Sequence, residues 1–399
     1  MNDPWIDFAK RAEASETAGY FEEAPTDERP ARAVWYSQAD QTLELAQDST
    51  PNVLERTCRR FLNSARGRCI LGYLSFDAGG IFEPLVRSAP GRAPFPLGEF
   101  ALVSNARTSR VPPRRRKWVT AAEGGSSPLR GDSLSQSAFQ RSVGRLKHAI
   151  RSGEAYQVVL GHRRMWDRPN DLLDRAGRLR EIERFAFFYY LQFGDRVVLG
   201  ASPESVVETV RGRASINPIA GTLPTGESRG RRRPLHKDPK ELAEHRMLVD
   251  LARNDLGRVS RRGSVGILWK ERRLRYARLE HLVTRVSSRL RPGVGPWETL
   301  GAAFPAGTVS GAPKIRATHL LRAEERSWRG PYGGAIGCLL PHDESHWALT
   351  IRSAFAAGRR LYTAAGAGIV NRSEPRREWL ETLVKLRQLE TAIVGERGK

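Results

Sequence analysis

Four glutamates fall into two pairs of the same spacing. Glu241 and Glu244 lie three residues apart in DPKELAEHRMLVDLARNDLGRV, and Glu378 and Glu381 repeat that step in SEPRREWLETLVKLRQLETAI. On a helix this spacing puts both carboxylates on one face, a turn apart. Two such faces brought together would offer hard oxygen ligands, and magnesium takes a few carboxylates, several waters and an anionic substrate oxygen. Each pair also has a plainer reading. Glu241 completes a capping box with Asp238, Glu244 meets solvent, and Glu381 pairs with Lys385 four residues on.

Two glycine-rich segments offer a second kind of chemistry. FPAGTVSGAPKIRA (304–317) starts a helix at Pro313, which leaves backbone N–H groups free for an anion. Its spacing is not that of a nucleotide P-loop, and AAGAGIV (364–370) lacks the third glycine of a dinucleotide fingerprint. These glycines either let the backbone approach a small ligand or make plain turns.

The elements that must carry these groups are legible in patches. Asp238 as cap, Pro239 in the first turn and the apolar Leu242, Leu248, Val249 and Leu251 predict a helix over 238–259. Pro375 opens a second over 373–393, and Phe139, Val143, Leu146 and Ile150 mark a third over 134–152, stopped by Gly153. AYQVVLG reads as a strand, and FAFFYYLQFG with RVVLGAS as a buried hairpin. Residues up to Asp132 read as short strands and loops, and 120–137 as a Gly-, Ser- and Pro-rich connection. No repeat of fixed period is visible.

Composition narrows the class. With 399 residues, 40% of them apolar, the chain can bury a large core without a disulfide or metal staple. Cys58, Cys69 and Cys338 have no CxxC spacing, which argues against a disulfide framework or a zinc site. The N-terminus lacks a signal pattern and no apolar run reaches the ~18 residues of a membrane span, so a soluble cytoplasmic protein is expected. Lys and Arg number 66 against 44 Asp and Glu, a net charge of +22. That invites a nucleic-acid reading. The excess clusters in RVPPRRRKW and RGRRRP, however, and only Trp118 supplies an aromatic to either run. A single-strand binder interleaves stacking rings with its cations, so the pattern argues against one. The simpler account is arginine-rich loops that are solvated, and such a protein would also attract an anionic substrate or an acidic partner.

Taken together, NPIAGTLPTG (217–226), KELAEHRMLVDLARNDLGRV, FPAGTVSGAPK, RGPYGGAIG (329–337), GAGIV and the REWLET ending resemble the chorismate-utilising enzymes. These are the large subunits of anthranilate and aminodeoxychorismate synthases and the isochorismate and salicylate synthases. The resemblance runs in order from about Ala138 to Ile393, and more weakly through LGYLSFDAGG. It implies an α+β fold, one large domain in which two antiparallel sheets pack as a sandwich surrounded by helices. Residues 1–130 would be its short, divergent N-terminal part and 131–399 the chorismate-binding catalytic region of the same domain. It also implies Mg²⁺ on Glu244 and Glu381, with Glu241 and Glu378 holding the ion's waters. Tyr332 and Arg352 would bind the enolpyruvyl carboxylate, and Glu204 in ASPES would protonate the departing C4 hydroxyl. His281 would serve as a proton-transfer group. Gln157, Gly221, Thr222, Thr308, Gly366, Ala367, Gly368 and Lys385 match other pocket positions.

Two positions discriminate within the family. Isochorismate and salicylate synthases carry a lysine as general base where YQVVLG has Gln157, and glutamine cannot deprotonate water. Typical aminodeoxychorismate synthases have a nucleophilic lysine in PIKGT, where this chain has PIAGT and Ala220. Ammonia attacking C2 directly is therefore expected, followed by loss of pyruvate to give anthranilate. Amination alone would release 2-amino-2-deoxyisochorismate, and 4-amino-4-deoxychorismate would require chemistry without the lysine. No amidotransferase domain is recognisable, so ammonia from glutamine implies a separate subunit. The LLES-like and PYM motifs of tryptophan-inhibited members are missing, with Ala186–Phe188 in place of the second.

Overall fold

The computed structural model describes residues 3–26, 29–46, 48–63, 68–86, 93–113, 126–182, 185–224, 238–276 and 279–395. Its strands form two sheets, antiparallel throughout. The first runs Gly311–Ala312 (β16), Gln157–Asp167 (β8), Arg360–Ile369 (β20), Ser353–Ala357 (β19), Arg196–Ser202 (β10), Phe187–Phe193 (β9), Thr17–Glu23 (β1), Arg32–Tyr36 (β2) and Arg107–Arg110 (β6), with Leu129–Asp132 (β7) also on β8. The second runs Ile219–Pro224 (β13), Leu279–Arg289 (β15), Arg213–Ile216 (β12), Ser205–Val210 (β11), Glu344–Leu349 (β18), Ala335–Leu340 (β17), Cys69–Leu74 (β4), Gly98–Val103 (β5) and Gln41–Leu45 (β3), with Gly266–Tyr276 (β14) also on β15. This is the α+β sandwich that the resemblance implies. The N-terminal strands β1, β2 and β6 end the first sheet, and β4, β5 and β3 end the second.

Why the strands sit where they do is plain in FFYYLQF. A strand buried on both faces reads as a continuous apolar run. Phe187, Tyr189, Leu191 and Phe193 point between the sheets, toward Tyr73 and Ile336 of the second sheet. Phe188 and Tyr190 point outward and pack under Trp5 and Phe8 of Pro4–Ala12 (α1). Fully burying one such ring is worth about 1.5–3 kcal/mol. The expected hairpin is present, β9 and β10 pairing from Arg196↔Phe193 to Ser202↔Phe187.

The remaining helices are Pro51–Asn63 (α2), Gly79–Phe82 (α3), Gln136–Arg151 (α4), Leu172–Ile182 (α5), Pro239–Gly257 (α6), Pro296–Ala303 (α7), Gly307–Ser310 (α8), Lys314–Glu325 (α9) and Pro375–Ile393 (α10). α4, α6 and α10 match the expected helices within a few residues. Asp238 caps α6, accepting from the Glu241 amide at 3.4 Å. Three expectations need correction. α1 and α2 stand where only strands and loops were read. β7 forms inside the supposed connection over 120–137. Residues 364–369 of the AAGAGIV segment lie within β20, so the plain-turn reading of its glycines falls. Residues 114–118 of the first basic run, and all of RGRRRP, lie outside the described residues. No helix among the described residues is long and apolar enough to cross a membrane.

Candidate active site

β8 and β20 lie side by side in the register Gly161↔Gly366 and Val159↔Gly368. Alternation along β20 gives Gly366 and Gly368 one face and Ala367 the other. A Cβ on Gly366 would stand 2.7 Å from Tyr332 Oη, and one on Gly368 would collide with the Gln157 amide. The glycines thus make room for two buried polar side chains, Tyr332 and Gln157. Ala367 turns its methyl into the core cluster containing Val158 and Leu160, so its backbone is what it can offer a ligand.

Lys385 joins this wall to α10. Its Nζ donates to the Gly366 carbonyl at 2.8 Å and meets Glu381 Oε1 at 2.7 Å. Its charge also reaches Glu204, in the turn between β10 and β11. Burial raises the Glu204 carboxyl to about 7, with the Thr308 hydroxyl and the Lys385 ammonium offsetting part of that rise. Thr308 stands in α8, which Gly307 lets sit tightly on α6, since a Cβ there would run into Leu251. Thr308 Oγ1 is buried and faces Glu204 without closing a well-formed hydrogen bond. Both residues line a cavity of about 30 Å³, walled also by the apolar Leu248, Leu251 and Ile216 and by the polar Ser205 and Asp255. A carboxyl that titrates near 7 in such surroundings can deliver a proton at neutral pH.

Arg352 is half-buried, and its backbone is left-handed at φ 53°. That conformation costs a non-glycine residue on the order of 1 kcal/mol. Its guanidinium makes no ion pair with a described residue, and a planar fork without a counter-ion suits a carboxylate. Tyr332 is buried, which pushes its hydroxyl well above the usual range and keeps it a neutral donor.

α6 packs on β13 and β15, whereas α10 packs on β20, α4 and α5. Among the described residues no three His, Cys, Asp or Glu side chains lie close enough to hold a metal ion. Glu381 is held by Lys385 at 2.7 Å. The donor set is still all-carboxylate, the chemistry a hard divalent cation requires, and the half-buried Glu244 has no ion-pair partner among the described residues. Gly221 and Thr222 fall in β13 at an irregular step of its pairing with β15, and His281 sits on β15 opposite Leu274. The side chains of Thr222 and His281 lie outside the described set.

Sequence reading missed two supporting groups. Lys314 Nζ meets Asp255 at 2.9 Å beside the cavity. Arg329 is buried behind Tyr332, where its guanidinium pairs with Glu325. Glu325 and Arg329 are four residues apart, a spacing that would have flagged them had both been on one helix. α9 ends at Glu325, so the pair forms across the helix terminus instead.

The arrangement has known counterparts. A family model described as chorismate binding enzyme matches residues 16–391. The chain is 36% identical over 340 residues to anthranilate synthase component 1 of Methanothermobacter marburgensis, covering 80% of this chain and 73% of that one. It is 38% identical over 287 residues to the Pseudomonas aeruginosa protein of the same name, covering 71% of this chain but only 58% of that relative's length. Among solved structures, anthranilate synthase component I from Streptococcus pneumoniae superposes with a TM-score of 0.79 at 26% identity, over 92% of this chain and 93% of that one.

Proposed function

The chain belongs to the chorismate binding enzyme family, and from that premise we propose that it aminates chorismate at C2 with ammonia and eliminates pyruvate to give anthranilate. The observation that carries this reading is the Glu204 carboxyl, held near 7 beside Thr308 and Lys385 at the edge of a largely apolar cavity. Amination at C2 expels the C4 hydroxyl, which leaves as water once Glu204 donates its proton. A positioned general acid contributes roughly 10²–10⁴-fold. Ammonia brings its own lone pair and needs no base, in keeping with Gln157 at a position where a lysine would activate water. Ala220 offers no nucleophile, so attack is direct. Arg352 would take the enolpyruvyl carboxylate and the Tyr332 hydroxyl would donate to it. Loss of pyruvate then needs the C2 proton removed and a proton delivered to the enolpyruvyl group, a task for His281.

Glu244 and Glu381, supported by Glu241 and Glu378, would hold Mg²⁺. When bound, that ion supplies Lewis-acid polarisation of the substrate's ring carboxylate. Lys385 bridges Glu381 and the Gly366 carbonyl, and its charge reaches Glu204. Ammonia from glutamine would arrive from a separate amidotransferase subunit.

The test is product analysis with chorismate, Mg²⁺ and ammonium at alkaline pH, where more neutral ammonia exists. Anthranilate fluorescence should rise with pyruvate release. Turnover should vanish in EDTA and in Glu244→Gln and Glu381→Gln, whose melting temperatures should match the wild type. Consumption unaffected by EDTA, or isochorismate formed without ammonia, would sink the reading. An aminated, non-fluorescent product that keeps the pyruvyl ether would move it to amination alone.

A further inference from the structure

β8 has a short open edge behind the glycine wall. On its outer side β16 pairs with Gln157 and Val158, and β7 with Arg164–Trp166. Between them the Val159 carbonyl and the Gly161 amide face no strand. An ion pair takes the strand's place: Arg329 Nη2 donates to the Val159 carbonyl at 2.7 Å, and Glu325 Oε1 accepts from the Gly161 amide at 2.7 Å. The two side chains are joined by two bonds, Nε to Oε2 at 2.8 Å and Nη2 to Oε1 at 2.5 Å.

The same guanidinium has a third arm. Nη1 donates to the Val309 carbonyl at 2.6 Å, next to Thr308. Its Cζ lies 4.3 Å from the Phe76 ring centre and 5.7 Å from that of Tyr332. The Arg329 and Gly330 amides donate to Asp77 at 3.1 and 2.7 Å, and Arg322 holds the other Asp77 oxygen at 2.6 Å. One buried fork therefore ties together the segments that carry Gln157, Thr308 and Tyr332. Through the pairing of Gly161 with Gly366 and Val159 with Gly368 it also backs the glycine wall.

We propose that Arg329, with Glu325, is a positioning pair that fixes Thr308 and Tyr332 relative to the β8–β20 wall, a proposal that rests on reading this pocket as the chorismate site. A buried ion pair is a weak source of net stability, since desolvation offsets most of its attraction. Geometry is what a planar five-donor fork supplies and an ammonium does not. Lysine at 329 would keep the charge but could not reach Glu325, Val159 and Val309 in one plane.

Arg329→Lys tests this with two readouts, hydrogen exchange by mass spectrometry and chorismate kinetics. Exchange should rise in peptides spanning 157–163 and 306–312 and stay at wild-type levels elsewhere. Turnover should fall on the order of 100-fold, the cost of about 1 Å of misplacement, with the loss in kcat rather than KM. Glu325→Gln, which keeps the acceptor for Gly161, should show the same local pattern with a smaller loss. Wild-type kcat in Arg329→Lys, or exchange that rises across the whole chain in both variants, would overturn the proposal. A wild-type protein that leaves chorismate untouched would sink the functional reading alone, and the exchange pattern would then decide the clamp.

Discussion

Carboxyl groups in two parts of this sandwich hold their protons in opposite ways. Between the sheets, Glu23 of β1 faces His346 of β18 at 2.8 Å and Arg32 of β2 at 2.9 Å. Glu344 meets the same two cations at 2.9 and 3.0 Å. Burial would raise Glu23, but His346 and Arg32 overcome it and bring the carboxyl down to about 2. The His346 hydrogen bond does most to lower Glu344, also to about 2. Burial would depress His346, yet the two glutamates push it up to about 9. At Glu204 no described cation stands within ion-pair distance, so burial wins and the carboxyl rises to about 7. The same residue type is locked as an anion in one place and kept as a usable acid in the other. What differs is how closely the counter-charge approaches.

The sharpest way to break this contrast is a crossed pair of amide substitutions. Glu204→Gln should cost roughly 10²–10⁴-fold in turnover with an unchanged or slightly raised melting temperature, because it removes an acid the fold disfavours as an anion. Glu23→Gln should lower the melting temperature and leave turnover near wild type. At fixed free ammonia the wild-type rate should fall as pH rises past about 7, the Glu204 value, and that limb should be missing from Glu204→Gln. Loss of turnover in Glu23→Gln with normal melting would erase the distinction.

A stability effect follows, smaller and of defined sign. His346 binds its proton more tightly folded than unfolded, so its contribution is full below about 6.5 and lost as pH rises through about 9. Glu23 and Glu344 behave inversely, contributing fully above about 4.5 and losing that contribution as pH falls toward 2. Removing one partner of a buried pair costs about 3–5 kcal/mol. His346→Gln should therefore be destabilised by that order at pH 6, and its gap from wild type should narrow toward pH 10. Urea denaturation across this range checks it. A gap that stays constant with pH would mean that His346 contributes packing and not charge.

The contrast also explains what was legible in the residues alone. α6 and α10 announce themselves because caps, an early proline and apolar spacing are local signals. α2 carries Leu54, Cys58 and Leu62 at helical spacing, but its arginine-rich, polar composition hid that stripe among supposed loops. The Glu204 site was reachable only through motif resemblance, since nothing local marks one glutamate as raised. The His346 cluster left no trace in the sequence. Its members come from strands at opposite ends of the chain, and only the packing of the two sheets brings them together. The glycines of β20 were half-read: close approach was foreseen, but what approaches them is Tyr332 and Gln157 of the protein itself.

The smallest expected effect is none at all. Tryptophan should leave the rate unchanged, and the reason lies in the closed cluster. Ala186–Phe188 stand at the position the resemblance assigns to the PYM motif, and the space beside them is filled. Phe187 stacks on Phe21 with ring centres 5.8 Å apart, and its register partner on β1 is Glu23, the residue locked to His346 and Arg32. The Ala24 amide donates to the Ala186 carbonyl at 2.8 Å, and the Ala186 amide to Ser202 at 2.9 Å. A ligand entering between β1 and β9 would have to part the rings and break the buried pair. At about 3–5 kcal/mol, that loss would weaken a micromolar site by roughly two to four orders of magnitude, to about millimolar or weaker. Rates and melting curves with and without micromolar tryptophan test this. A fall in rate, or a rise in melting temperature, would show that the inter-sheet cluster opens, and its contrast with the Glu204 site would no longer hold.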